Sequence, residues 1–412
     1  MIFKDMQELE AELNRFIQPV SKTAYSLDGI KSLMKFLGSP QDELRVIHIA
    51  GTSGKTSTAY YVAALLRAAG KSVGLSVSPH IDTVRERTQV NGELIVEPAY
   101  LQLMGEFLDL VQQSQIHVSY FELLVAFSYW AWHRLGFEYA VVEVGLGGLL
   151  DGTNVVTRSD KVCVITDIGY DHQEILGDTL PLIAAQKAGI ILPGNQVFMN
   201  DQPEEVMVVV RNTCENVGAT LNVVKETTIE GIEALPLFQQ RNLSLAYAAV
   251  EYTLGDKPGI EATLALQVPG RMELVTYKGK QIFLDGSHNS QKIGSLVESF
   301  KKQYPNLSPT LVVSFGAGRA QHIPENLALL KQLSSHLIAT SFSGQQDTKR
   351  DSVEPSLIAD KATEQGFEAK VIPGVLDAVE SAVKTNNSAV LVVGSFYALG
   401  EIRTRLLGKH LI

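Results

Sequence analysis

Residues 45–70 read RVIHIAGTSGKTSTAYYVAALLRAAG, and this stretch decides the fold of the first half of the chain. It opens with a six-residue apolar run rich in β-branched residues, which is typical of a strand buried on both faces. A glycine-containing turn follows, and then a segment of good helix formers that stops at Gly70. A second apolar run, KSVGLSVS at 71–78, completes a strand–helix–strand unit. Such units build a parallel sheet that is covered by helices.

Apolar runs of strand length alternate with helical segments as far as residue 265, and the pattern then restarts. The runs include YAVVEVG at 139–145, KVCVITDI at 161–168 and QVFM at 196–199 in the first series, and QIFLD at 281–285 and AVLVVG at 389–394 in the second. Pro269 and Gly270 lie between the two series and favour a hinge. We therefore predict two α/β domains, residues 1–268 and residues 271–412, of which the second is smaller and doubly wound.

The composition describes an ordinary globular enzyme with no basic or membrane-spanning character. The 412 residues are 45% hydrophobic and 19% charged, and a net charge of -10 argues against a nucleic-acid partner. No apolar run is long enough to cross a bilayer, and the charged opening MIFKDMQELEAELNRF is unlike a signal peptide. The two cysteines, Cys163 and Cys214, support neither a metal site nor a disulfide framework. We expect a cytoplasmic protein without a membrane partner.

The turn at residues 50–57, AGTSGKTS, has the composition of a phosphate-binding loop. Gly51 and Gly54 would let the backbone approach an anion at the start of the next helix, and Lys55 could reach the β and γ phosphate oxygens. Only two residues separate the glycines, whereas the common pattern has four. The alternative is a βα turn that binds nothing. Because a lysine and a threonine follow directly after a strand and a glycine, the sequence favours ATP binding. It predicts a parallel-sheet ATPase domain with a P-loop, followed by the doubly wound domain.

Polar residues follow several of the predicted strands and could bind a metal ion. Glu143 closes the run YAVVEV, which places a carboxylate at the edge of the sheet where α/β proteins bind ligands. Ser78 and His172 also follow strand-like runs, although a lone histidine is more often structural than a ligand. Lys187 lies near the end of a helical segment, where a cation complements the helix C-terminus.

Taken together, the motifs resemble the folylpolyglutamate synthase and dihydrofolate synthase branch of the Mur ligases. The resemblance extends over nearly the whole chain, and its blocks follow the order of that family. They are HIAGTSGKTS, SPHIDTVRERTQVNGELI, SYFELL, VVEVGLGGLLDGTNVV, ITDIGYDHQEILGDTL, QKAGIILPG, PGRMELV, LDGSHN and VVGSFYALGEIR.

The resemblance implies a nucleotide site, a metal site and a modified lysine. The implied ATP contacts are Gly51, Thr52, Ser53, Gly54, Lys55, Thr56, Ser57, Asn242, Arg271, Asp285 and His288. The implied Mg²⁺ ligands are Ser78, Glu143 and His172. Lys187 matches a lysine that is carbamylated in the family, and its carbamate would help to hold a second metal ion. Lys55, His172 and Lys187 are therefore the catalytic candidates.

The resemblance also implies a site for a pterin-bearing acceptor. Residues 22–25 and 119–122 match the segments that the family uses, so Tyr25, Tyr120 and Phe121 could stack on a flat heterocycle. Aromatic residues in such runs are equally often part of the core. Asp151 lies in the turn that would complete this surface.

The sequence departs from the family pattern at three turns. The usual Gly-Gly-Arg-Leu-Asp-Ala turn has Leu149 after Gly148, so an arginine is missing beside the acceptor site. The phosphate loop has Thr56 where the family has glycine. In the second domain an acidic-basic-acidic turn is replaced by residues 318–320, which read GRA. These changes leave the identity of the acceptor, and of the amino acid, open.

We expect an ATP- and Mg²⁺-dependent ligase of folate biosynthesis and one-carbon metabolism. It would join L-glutamate, bound by the second domain, to a folate or dihydropteroate carboxylate through an acyl phosphate, and it would act as a monomer. One alternative is a Mur-type ligase that acts on a different carboxylate. Another is a nucleotide-binding regulatory protein that no longer ligates, although the retention of Asp285, His288 and the segment GSFYALGEIR argues against it.

Overall fold

The computed structural model describes residues 1–17, 26–225, 229–345 and 349–408. The chain forms two compact units: residues 1–235 with 239–266, and residues 236–238 with 267–412. Each unit contains one large, mainly parallel sheet, which confirms the predicted α/β class. Residues 236–238 belong to the second unit because Phe238 packs against its core. That the predicted segments 1–268 and 271–412 are separate folding domains stays a prediction.

The sheet of the first unit is built around the strand that precedes the phosphate loop. Its strands are β1 Arg45–Ala50, β2 Val73–Ser76, β3 Gln89–Val90, β4 Glu93–Leu94, β5 Tyr139–Glu143, β6 Val162–Ile165, β7 Gln196–Asn200 and β8 Thr220–Val224. Their order across the sheet is β4-β3-β2-β5-β1-β6-β7-β8. All pairings are parallel except those of β3 and β4. Because β1 lies between β5 and β6, the carboxyl ends of these three strands meet at one edge.

Helices cover this sheet, and two apolar cores lie among the described residues of the unit. They are α1 Met6–Leu13, α2 Asp28–Phe36, α3 Lys55–Ala68, α4 Glu97–Ser114, α5 Tyr120–Arg134, α6 Gln173–Leu176, α7 Leu180–Ala188, α8 Glu204–Val217, α9 Leu237–Leu254 and α10 Glu261–Leu264. One core is rich in aromatic side chains from α4 and α5, including Phe107, Phe127 and Trp132. The other joins β6 and β7 to α7 and α8 and contains Cys163 and Cys214, which are free and buried.

The second unit is a smaller α/β sandwich. Its strands are β9 Glu273–Tyr277, β10 Lys280–Asp285, β11 Pro309–Val313, β12 His336–Ser341, β13 Ser343–Gln345, β14 Lys349–Asp351, β15 Glu368–Gly374 and β16 Ala389–Val393. Its helices are α11 Ser290–Gln303, α12 Ile323–Leu330, α13 Pro355–Glu364, α14 Val375–Val383, α15 Phe396–Gly400 and α16 Arg403–Leu406. The main sheet has the order β15-β12-β11-β16-β10-β9, with β9 antiparallel, and β13 pairs with β14 in a separate ribbon.

The elements that the sequence did not predict are short or lie at edges. β3 and β4 have two residues each, and β8 is largely exposed or half-buried at the far edge of its sheet. Such strands lack the continuous apolar run of a strand that is buried on both faces. The chain after β16 forms two short helices, α15 and α16.

A buried ion pair fastens the C-terminal helix of the second unit to β9. Arg403 donates to Glu273 through Nε at 2.8 Å and Nη2 at 2.9 Å, and Gly270 N donates to the same carboxylate. We expect Arg403→Ala to lower the free energy of unfolding by about 3–5 kcal/mol, because it leaves a buried carboxylate without its cation. Urea denaturation of the whole chain, followed by hydrogen exchange, would locate the loss in the second unit. Lys278→Ala, which breaks the exposed pair with Glu380, should cause no measurable change; an equal effect would contradict the prediction.

Candidate active site

The phosphate loop is held in shape by close neighbours of its two glycines. Gly51 and Gly54 have φ values of 150° and 92°. A Cβ on Gly51 would lie 1.8 Å from Thr166 Oγ1, and one on Gly54 would lie 2.3 Å from Asn242 Oδ1. Larger residues are therefore excluded at both positions. The contact with Gly54 also shows that α9 brings the predicted site residue Asn242 to the loop.

Two N–H groups of the loop are used within the protein. Thr52 N and Ser53 N donate to Asp167 O at 2.9 and 3.0 Å, and Thr52 Oγ1 bonds to Gly169. The first-turn N–H groups of α3, from Lys55 onward, have no carbonyl one turn earlier in their own helix. If the loop binds an anion, the start of α3 would therefore supply N–H groups that Thr52 and Ser53 do not. Ser57, also a predicted contact, is 1% exposed, and its hydroxyl has no hydrogen-bond partner among the described residues.

Two lysines converge on one carbonyl of the loop. Lys55 Nζ donates to Gly51 O at 3.0 Å, and Lys187 Nζ donates to the same oxygen at 2.8 Å. Lys187 is buried on α7, and its ammonium reaches across to the loop. The local interpretation of Lys187, as a cation at its own helix terminus, overlooked this long-range contact. The structure thus places two positive charges beside the site where phosphates would bind.

Glu143 and Ser78 meet beside the loop and form a candidate cation site. The buried carboxylate of Glu143 accepts from Thr56 Oγ1 at 2.9 Å and from Ser78 N at 3.1 Å. Ser78 Oγ is buried and makes no hydrogen bond within the described ranges. One carboxylate and one unused hydroxyl suit Mg²⁺, which prefers oxygen ligands and fills its other positions with water and phosphate oxygens. The residues therefore fit this ion.

The third predicted metal ligand, His172, lies in the loop after β6. Its backbone is left-handed, with φ 50°, and its imidazole lies 3.8 Å from Asp171 Oδ1 and 3.7 Å from Glu174 Oε1. In the part of the chain that the structure describes, no group of three or more His, Cys, Asp or Glu side chains is arranged so that it could hold a metal ion. A metal site built on Glu143 would therefore include hydroxyl, water and phosphate ligands.

The turn at residues 145–153 follows β5 directly and carries the predicted acceptor residue Asp151. This carboxylate is 5% exposed and accepts from Leu146 N at 2.7 Å and from Thr153 N at 3.0 Å. Burial raises the pKa of Asp151, and these hydrogen bonds oppose the shift. Asp151 therefore organises the turn. Leu149, which stands in place of the family arginine, is 44% exposed and covers Gly189.

Of the three aromatic residues predicted at the acceptor site, Phe121 is the one that the structure places at the turn. A Cβ on Gly145 would lie 2.6 Å from its ring, and one on Gly152 would lie 3.3 Å from it. Tyr120 is 6% exposed and belongs to the aromatic core of α4 and α5, which is the alternative that the sequence left open. Tyr25, with the rest of residues 22–25, lies outside the described residues.

The predicted site residues of the second unit surround the end of β10. The Arg271 guanidinium lies 4.2 Å from the centroid of the Phe396 ring. The Asp285 carboxylate accepts from Met272 N and Ser287 N, both at 2.8 Å, and burial raises its pKa. His288 Nδ1 lies 2.9 Å from Gly286 O, and its Nε2 lies 3.4 Å from Lys292 Nζ.

Three residues that support the phosphate loop, Thr166, Asp167 and Arg241, were not predicted from the sequence. Arg241 Nε donates to both carboxylate oxygens of Asp167 at 2.9 and 3.0 Å, while Asp167 O accepts from the loop. Thr166, the residue before, fills the space beside Gly51. An aspartate at the end of an apolar strand was the available signal, although its partner lies 74 positions away in the chain.

The chain is similar to known proteins over most of its length. A family model described as "Mur ligase, glutamate ligase domain" matches residues 270–396. The dihydrofolate synthase/folylpolyglutamate synthase of Bacillus subtilis (strain 168) is 30% identical over 421 residues, covering 92% of this chain and 94% of the relative. The chain belongs to the folylpolyglutamate synthase/dihydrofolate synthase family. The resemblance read from the sequence is confirmed, and with it the class of ATP-dependent ligases.

Solved structures from this family share the fold over nearly all of this chain. Folylpolyglutamate synthase of Mycobacterium tuberculosis, complexed with ADP and AMPPCP, is 26% identical with a TM-score of 0.84, and 98% of each chain is covered. The bifunctional synthase of Yersinia pestis, complexed with AMPPNP and a manganese ion, is 23% identical with a TM-score of 0.81, covering 97% of this chain and 98% of that one. At that identity the second comparison shows the fold alone. None of the helices in the described ranges has the length and apolar character of a membrane span.

Proposed function

We propose that this enzyme uses ATP to join L-glutamate to the carboxylate of a folate or dihydropteroate acceptor. The observation that carries the proposal is the meeting of the phosphate loop, Lys55 and Glu143 at one edge of the sheet, in a chain of this family. Glu143 shares a hydrogen bond with Thr56, the residue after Lys55, so nucleotide and cation would bind side by side. A 145–153 turn that contacts Phe121 offers the neighbouring surface for the acceptor.

In the proposed reaction the acceptor carboxylate oxygen forms a bond to the γ-phosphorus, the bond to the β,γ-bridging oxygen breaks, and ADP leaves. The glutamate amine then attacks the acyl carbon, loses a proton and expels inorganic phosphate. Lys55 and the first turn of α3 would hold the phosphates and neutralise their charge. Glu143, Ser78 and His172 would hold Mg²⁺, which supplies further charge neutralisation at the phosphates. Arg271, Asp285 and His288 are proposed as further nucleotide contacts.

Lys187 is proposed to act as its carbamate. Its buried Nζ lies 2.8 Å from Gly51 O, so conversion of the ammonium to an anion would place negative charge at the loop and favour a second cation. We expect removal of CO2 to lower activity by about tenfold or more, as for the loss of a group that supports a metal site, and bicarbonate to restore it.

The carbamate can be detected directly by ¹³C NMR of protein incubated with ¹³C-bicarbonate. The carbamate resonance should be absent in Lys187→Gln and present in Lys161→Gln, which removes another buried lysine that donates to a backbone carbonyl. Full activity after CO2 removal, with no such resonance, would refute the modification.

The experiment that tests the proposed function is an ATPase assay with defined combinations of substrates. Phosphate release should require Mg²⁺, a pteroate or folate compound and L-glutamate together, and mass spectrometry should show the acceptor heavier by one glutamyl residue. Release that needs neither acceptor nor amino acid would exclude a ligase of this specificity. The monomeric state and the cytoplasmic location expected from the sequence stay predictions.

A Mur-type ligase acting on a different carboxylate is the second candidate, and Leu149 favours it. This exposed leucine replaces a forked cation with an apolar surface beside the 145–153 turn. An acceptor with an anionic group at that point would lack the cationic partner that the family arginine provides. A panel of pteroates and unrelated carboxylates in the same assay separates the two candidates.

A further inference from the structure

A buried hydrogen-bond chain of three side chains, His48, Thr153 and Asp151, links the 145–153 turn to the central strand β1. His48 Nε2 lies 2.8 Å from Thr153 Oγ1, and Thr153 Oγ1 lies 2.5 Å from Asp151 Oδ1. The exposed fractions of His48, Thr153 and Asp151 are 0%, 1% and 5%. None of the roles proposed above for ATP or the cation uses His48 or Thr153.

The direction of each hydrogen bond in this chain follows from the number of protons available. The Thr153 hydroxyl has one proton and donates it to Asp151, so it must accept from an N–H at His48 Nε2. Burial lowers the pKa of His48 well below its usual value, and nearby Lys161 adds to the shift. His48 is therefore neutral with its proton on Nε2. Its Nδ1 is buried and has no hydrogen-bond partner among the described residues.

The hydrogen-bond chain connects the proposed acceptor surface to the strand that leads into the phosphate loop. On one side, the turn follows Glu143 by two residues and rests against Phe121. On the other side, His48 lies in β1 two residues before Ala50, where the phosphate loop begins. Asp151 fixes both limbs of the turn, because it accepts from Leu146 N and from Thr153 N. A shift of the turn relative to β1 must therefore break this chain.

We propose that His48 and Thr153 are positioning residues, which fix the acceptor surface at a set distance from the phosphate loop. The inference rests on the proposed function. Reacting atoms must come within about 3–3.5 Å, and a displacement of about 1 Å can lower the rate about 100-fold. The hydrogen bonds that hold the loop itself involve Lys55, Glu143, Asp167, Gly169 and Lys187, and none of these residues belongs to the hydrogen-bond chain. Loss of the hydrogen-bond chain should therefore impair use of the acceptor and leave nucleotide binding intact.

Thr153→Val tests this inference, because it keeps the shape of the side chain and removes both hydrogen bonds. We expect the acceptor KM to rise about tenfold or more, or kcat to fall by a similar factor, from misplacement of the acceptor. The Kd for ADP, measured by calorimetry, should stay within about twofold, as expected for an independent site. Thr153→Ser retains the hydroxyl and should restore the acceptor constants. Thr157→Val makes the same change at an exposed position four residues on and serves as the matched control.

A second pair of variants covers the case in which Thr153→Val does not fold. His48→Gln keeps an N–H donor that can reach Thr153, whereas His48→Leu does not, so only the leucine variant should lose use of the acceptor. Unchanged acceptor constants in folded Thr153→Val or His48→Leu protein would overturn the inference, as would a parallel loss of ADP affinity. If the wild-type enzyme consumes no ATP with any pteroate acceptor, the proposed function fails instead, and the two failures are therefore distinguishable.

Discussion

Lys55→Ala is expected to abolish phosphoryl transfer while the protein remains folded. The ammonium of Lys55 lies beside the phosphate loop at the first position of α3, bonded to Gly51 O. Lys55 would neutralise charge that develops on a transferred phosphoryl group, and removing a cation of this kind lowers kcat by about 10³-fold or more. The measurement is ADP release in the presence of acceptor, glutamate and Mg²⁺.

The folded state of this variant must be checked together with its activity. Lys55 is half-buried and its hydrogen bond is local, so the midpoint of thermal unfolding should change by only a few degrees. Lys71→Ala removes a lysine that pairs with Glu138 at the surface, and it should retain full activity. A Lys55→Ala enzyme that turns over at the wild-type rate would show that the loop does not hold the triphosphate.

Glu143→Gln is expected to cause the second large loss. The substitution keeps the shape of the side chain and an oxygen that can accept from Thr56 or Ser78, but it removes the negative charge. A divalent cation bound there would lose its charged protein ligand. We expect kcat to fall by at least about 100-fold, and the Mg²⁺ concentration for half-maximal activity to rise by about tenfold or more.

Mn²⁺ titration followed by electron paramagnetic resonance would separate metal binding from catalysis. Wild-type protein with ADP should bind the ion, and Glu143→Gln should bind it more weakly by the same factor that describes the Mg²⁺ requirement. Glu138→Gln neutralises an exposed carboxylate just before the same strand and should behave like the wild type. Equal Mn²⁺ affinity in Glu143→Gln and wild-type protein would remove Glu143 from the metal site.

Local sequence patterns were sufficient to predict the elements that are buried on both faces. The run that became β1, the turn with Gly51 and Gly54, and the helix that became α3 follow from apolar pattern and turn chemistry alone. The position of Glu143 at the end of β5 could also be predicted, because a strand of that composition must be interior. Short edge strands such as β3 could not, because two residues give no period.

The contacts that complete the site could not be read from local pattern, because their partners are distant in the chain. Lys187 lies 136 positions from Gly51, and Arg241 lies 74 positions from Asp167. A lysine near a helix end has a satisfactory local interpretation, so the sequence gives no reason to look further. Family resemblance implied a role for Lys187, which stays a prediction, whereas the support from Asp167 and Arg241 became visible only in three dimensions.

The bridge between Ser53 and Asp167 makes the phosphate loop a continuation of the sheet. A loop that is already hydrogen-bonded to Asp167, two residues after β6, should lose little conformational entropy when a nucleotide binds. The triphosphate would bind to a loop whose geometry is already set in the folded protein. Differences in acceptor specificity would then have to come from the residues of the acceptor surface, because changes there need not disturb the bound nucleotide.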